Sequence, residues 1–162
     1  MSSWVKSLTS GAAGAVALTL LHELARRRIP YAPRMDVVAM RGLVRMVPAV
    51  RERRLRSRDL HRVALIGDLV SNSLYYAAIA ARTPKATWTR AAALGVAAGV
   101  GALLLPQPMG LGAPPNSHIR RNQAMTIAWY VAGAFIAAAV ATVMPNDLYR
   151  TADPGTGLRL PA

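Results

Sequence analysis

Two short polar runs interrupt otherwise apolar stretches, and they are where this chain could do chemistry. His22, Glu23 and Arg26 fall within about one helical turn. Asp68, Ser71, Asn72 and Tyr75 recur at i, i+3, i+4 and i+7, which places them on one face of a helix. A carboxylate at the depth of Asp68 in a membrane costs on the order of 3 kcal/mol, so it is expected to face protein or water with a partner. Arg26, His22 and Asn72 are the expected partners. Counted inward from Arg26 and Arg62, Glu23 and Asp68 differ in depth by only ~5 Å on antiparallel helices, so the two polar faces are expected to meet. Such a cluster has two readings. One is a proton- or ion-handling site, or a polar pocket for a ligand headgroup. The other is an interhelical hydrogen-bond clamp, which takes precedence because no second acidic relay follows in the later apolar stretches.

Other chemistries are excluded or weakly supported by residue type. There is no cysteine, which removes disulfides, thiolate metal sites and cysteine nucleophiles. His22-Glu23 does not begin a zinc-protease motif, because Arg26 stands where the second histidine is required. His22, His61 and His118 have arbitrary spacing, and no metal or other cofactor is expected. Met109 to Pro115 lacks the lysine and the strand-to-helix context of a phosphate-binding loop. A non-catalytic protein is therefore expected; a lipid-modifying enzyme using His22 and Asp68 as acid and base is the remaining catalytic reading.

The elements that must position these residues are helices in a bilayer. The chain has 162 residues, 53% of them hydrophobic, yet a formal charge of +13. Charge is segregated: residues 91–119 and 122–146 carry no Asp, Glu, Lys or Arg, which a bilayer demands and a soluble fold does not. The expected fold is all-α: a single integral membrane bundle of four transmembrane helices over residues 1–149, with a short tail at 150–162. The spans are placed at about 5–25, 60–81, 86–105 and 124–144, each near the ~20 residues needed to cross the hydrocarbon core. The first is read as a retained span, not a cleaved signal, because Arg26, Arg27 and Arg28 follow its apolar run and no small-residue cleavage site precedes them.

The basic loop at 26–59 sets the orientation. Twelve arginines lie between Arg26 and Arg62, so this loop is expected in the cytoplasm, with both termini outside. Trp4, Trp88 and Tyr149 then fall at the outer face, as an aromatic belt. Within the loop, Met35 to Val47 alternates apolar residues with Arg41 and Arg45 in the manner of an amphipathic helix on the inner interface, ended by Pro48. Arg51, Arg53, Arg54, Arg56 and Arg58 continue as a basic strip. Tethered beside a membrane, these seven arginines meet anionic lipid headgroups first, and nucleic acid is not expected because no aromatic residue lies between Tyr31 and Tyr75 for stacking.

Small residues at helical spacing mark close packing. Gly95 and Gly99 form a G-x-x-x-G, and Gly133 and Ala137 repeat the period in the fourth span. Packing within the bundle is the first use for these faces, and a seam for another membrane protein subunit is the second. The turn Pro108-Met109-Gly110-Leu111-Gly112-Ala113-Pro114-Pro115, between two alanine-rich spans, resembles a linker in small bacterial inner-membrane proteins of the YagU type. The resemblance is confined to this turn and implies only a bacterial inner-membrane setting. Together these features predict a multi-pass protein that serves as an accessory or assembly subunit, packed against a larger complex and binding anionic lipid. A small proton- or ion-coupled transporter using Glu23 and Asp68 is the alternative.

Overall fold

The computed structural model describes residues 3–53 and 55–145, and all of its regular structure is helical. Arg54, Tyr149 and the tail at 150–162 lie outside the described residues. Six helices follow in order: α1 (Ser3–Arg28), α2 (Met35–Met46), α3 (Pro48–Glu52), α4 (Ser57–Ala77), α5 (Pro84–Leu104) and α6 (Arg120–Val143).

Three of them, α1, α5 and α6, are long and apolar enough to cross a membrane. The second expected span differs. Its helix, α4, has 21 residues and is long enough, but Arg58, Asp59, His61, Arg62, Asp68 and Asn72 keep it out of that set. It also starts at Ser57 and stops at Ala77, so the last residues of the expected 60–81 span belong to the turn into α5. There, Thr83 caps α5 through its side chain and Pro84 occupies the first turn, where its missing N–H costs nothing. Pro48 ends α2 and also opens α3, a five-residue helix whose end takes in Arg51, the first arginine of what the sequence presents as a continuous basic strip.

The long helices lie in the order α5, α6, α1, α4, with α2 resting on α4. Glycines govern the close approaches. A Cβ on Gly99 would stand 2.6 Å from Cα of Ile127, and one on Gly95 would stand 2.9 Å from Cα of Val131, so this face of α5 is seated on α6. Gly14 of α1 meets Gly133 and Ala137 of α6, and Gly11 of α1 meets Ser73 and Ala77 of α4. The core at these crossings is mostly alanine: Ala15, Ala91, Ala134, Ala137 and Ala138 are fully buried, together with Leu18, Tyr76 and Ile79. Backbones this close gain dispersion contacts without needing large side chains, as suits helices with no hydrophobic drive to associate in lipid.

The two ends of the bundle have different character. At one end, the α1–α2 connection interlocks with the α5–α6 loop. Asn122, fully buried, donates to the carbonyls of Tyr31 and Asn116 at 2.7 and 3.1 Å. Arg41 donates to Leu111 and Ala113, and Arg121 to Pro30. Gly110 and Gly112 both have φ of +72°, a conformation in which a side chain would be strained. At the other end, buried Lys6 donates to the carbonyl of Met144 at the close of α6, a favourable place for a cation. Trp4 and Trp88 share this second end.

Candidate functional site

The polar cluster forms where α1, α2 and α4 meet. Glu23 is held by Arg26, with guanidinium-to-carboxylate distances of 3.1 and 2.7 Å, and by the more exposed Arg27 at 3.4 Å. From α4, His61 brings Nε2 to within 3.2 Å of Glu23 and Nδ1 to 3.7 Å from Asp36. Asp36, in the first turn of α2, is gripped by Arg34 through two bonds of 2.8 Å. The result is a continuous polar chain, Arg26–Glu23–His61–Asp36–Arg34, that ties all three helices together. Burial pushes the Asp36 carboxyl up, but its bond with Arg34 and the charges of Arg34, His61 and Arg26 outweigh that and hold it below its usual range. The same bond raises Arg34.

Behind this chain lies a cavity of about 20 Å³, lined by Thr19, His22, Glu23, Asp36, His61 and Asp68 among others. That volume accommodates about one water molecule. Two buried atoms at its wall, Nε2 of His22 and Oγ1 of Thr19, have no protein hydrogen-bond partner. The His22 ring is fixed from the other side by edge contacts with Trp129 and Tyr130 of α6, with centroids 5.1 and 5.8 Å away.

Of the seven residues expected in the cluster, four meet around this cavity: His22, Glu23, Arg26 and Asp68. Asn72, one of the partners expected for Asp68, stands one turn further along the same face of α4. Arg26 is spent on Glu23 instead, because a partner one turn away on the same helix lies within easy reach of a bidentate guanidinium. Ser71 turns back onto the carbonyls of Gly67 and Asp68 on the outer side of α4. Tyr75 donates to Leu94 of α5, away from the cluster. Three members were not anticipated: Asp36, His61 and Thr19. His61 sits two turns before Asp68 on the same face of the helix, and that spacing was the available signal. Asp36 carried none, since only the fold of the α1–α2 connection brings it back.

Asp68 also borders a second space on the outer side of α4. This groove of about 330 Å³ runs between α2 and α4, with small residues Ala39, Gly42, Ala64, Gly67 and Ser71 along it and Leu43 and Met46 at its edge. The expected lipid-facing arginines divide. All the described ones are exposed, but Arg41 and Arg45 lie over the α5–α6 loop, whereas Arg51, Arg53, Arg56 and Arg58 follow from α3 to the first turn of α4. His118 is exposed in the α5–α6 loop, and among the described residues no group of three or more His, Asp or Glu side chains is arranged to hold a metal ion.

Comparison of the chain with protein-family models, with curated proteins and with solved structures finds no match.

Proposed function

We propose that this chain is a small non-catalytic membrane protein, an accessory or assembly subunit that packs against a larger membrane complex and binds anionic lipid at its basic end. The observation that carries the reading is the outer face of α4. Val63, Ile66, Val70 and Leu74 are exposed there, with Gly67 and Ser71 beside them. We take α4 as a fourth span, too polar to be content against lipid alone. A partner helix satisfies it better, because small residues let a backbone approach closely and Asp68, at the wall of the groove, then meets protein. Both glycine faces on α5 and α6 are used inside the bundle, so α4 and α2 offer the remaining seam.

The orientation follows from charge: the basic end faces the cytoplasm, with α2 lying in the inner interface. The α5–α6 loop's resemblance to YagU-type linkers supports a bacterial inner membrane. Because the chain has no cysteine, a photocrosslinker can be placed at Gly67→Cys or Ser71→Cys, with Val16→Cys on the exposed face of α1 as the comparison. In native membranes the α4 positions should yield one discrete protein adduct and the α1 position only lipid. Lipid-only adducts from α4, joined with a strictly monomeric protein after purification in mild detergent, would sink the proposal.

A second reading is favoured by one feature, the meeting of Glu23 and Asp68 at a cavity with unpartnered His22 and Thr19. Under it the protein is a small proton- or ion-coupled transporter. Asp68→Asn should then abolish a flux in proteoliposomes while leaving the fold intact. If Asp68→Asn and Asn72→Ala merely lower thermal stability, the cluster is a clamp.

A further inference from the structure

A third space lies at the basic end of the molecule, separate from the polar cluster. This groove of about 600 Å³ is within the size range of small-ligand pockets. Its floor is apolar, made by Met40 and Val44 of α2, Leu60 at the start of α4, and Leu111 of the α5–α6 loop. Its rim carries Arg41, Arg45 and Arg51, and neither acidic nor aromatic side chains line it.

Two of these arginines are organised by the loop beneath them. Arg41 donates through one terminal nitrogen to the carbonyls of Leu111 and Ala113, at 3.1 and 3.2 Å. A guanidinium has five N–H donors in a rigid fork, so those two bonds leave others to point elsewhere. Arg45 lies flat over Gly110: a Cβ there would stand 3.1 Å from its Cζ, and Gly112 leaves similar room for Arg41 at 3.2 Å. The two glycines thus give the loop its positive φ and leave room for the guanidinium groups that rest on them. Held by its two bonds, Arg41 has surrendered part of its rotamer freedom before any ligand arrives, which lowers the entropic cost of binding.

We infer that this groove is a binding site for one anionic phospholipid, its phosphate held by Arg41, Arg45 and Arg51 and an acyl chain laid along the apolar floor. The inference rests on the proposed lipid binding and names its site. Charge complementarity selects the headgroup, since planar guanidinium groups match phosphate oxygens in pairs. The apolar floor selects a lipid over a soluble phosphate. The position agrees, because the groove opens at the end of the bundle where α1 finishes in Arg26 to Arg28 and α6 starts at Arg120.

The test is native mass spectrometry of the full chain in mild detergent, titrated with phosphatidylglycerol or phosphatidylcholine. One phosphatidylglycerol should be retained in preference to phosphatidylcholine. Arg51→Ala, which lies on exposed α3, should weaken retention about fivefold, and Arg41→Ala with Arg45→Ala should weaken it about as much for each arginine removed. Arg28→Ala with Arg120→Ala, exposed at the same end but outside the groove, should leave it unchanged. Glycerol 3-phosphate should not displace the lipid. Equal retention of both lipids by the unaltered protein would overturn the site and the lipid part of the proposed function together. Loss with the Arg28 and Arg120 variants but not with the groove variants would overturn the site alone, as would displacement by glycerol 3-phosphate.

Discussion

Tyr75 and Tyr76 are neighbours that do opposite things. The Tyr75 hydroxyl reaches Leu94 from an exposed position, whereas the Tyr76 hydroxyl is buried and donates to the carbonyl of Tyr130 across the glycine crossing of α1 and α6, at 2.8 Å. The i, i+3, i+4, i+7 pattern singled out Tyr75, because periodicity reports a shared face and cannot say which face is inside. Tyr76→Phe is expected to cost about 1 kcal/mol, the usual net contribution of a buried hydrogen bond, and Tyr75→Phe much less. Thermal unfolding in detergent checks the pair.

Asp36 makes a pH prediction at the same scale. Its carboxyl is depressed in the folded protein, so the stability it contributes is present above its unfolded value of ~3.9 and is lost as pH falls through the lower folded one. A spin label at Leu43→Cys, where α2 faces α4 across the outer groove, should become more mobile below that range. In an Asp36→Asn background it should already be mobile at neutral pH, with no acid step.

Among elements, the described glycines include some that a neighbour needs and some, such as Gly67, that none does. Gly99→Leu would drive a side chain into the α6 backbone at Ile127 and is expected to destabilise the protein by about 1–3 kcal/mol or to prevent folding. Gly67, in the middle of α4, has open space where a Cβ would go, so Gly67→Ala is expected to stabilise by about 0.4–1 kcal/mol. Opposite shifts in unfolding temperature check this; destabilisation by Gly67→Ala would mean that its side of α4 is already occupied. The period of small residues was plain on α5 and α6. On α1 it was hidden, since Gly11 and Gly14 read as ordinary members of an apolar run, and only the packing shows that they admit α4 and α6. Helix α4 was legible as a helix. Its charged residues make its relation to the bilayer a matter of what surrounds it, which periodicity does not encode.

At the scale of the whole molecule, the two long loops are one structure. Asn122, Asn116, Arg121 and Arg41 stitch residues 30–32 and 41 to the α5–α6 loop. Single cysteines at Ser57 and His118 should therefore label from the same side of the membrane, and one at Lys85 from the other. Labelling of Ser57 and His118 from opposite sides would contradict this arrangement.

Composition and charge segregation determined much by themselves: a helical chain, apolar stretches of membrane length, an arginine-rich loop broken by prolines, and polar residues that must find partners. These follow from local physics, since an apolar helix length and a proline break need no knowledge of neighbours. Tertiary structure decided which partners were found. Arg26 took Glu23, His61 and Asp36 entered the cluster, Arg41 and Arg45 settled over a glycine loop seventy residues away in sequence, and the expected clamp of two helices became a junction of three. Hydrogen bonds and close packing depend on distances across the chain, and no local pattern carries those.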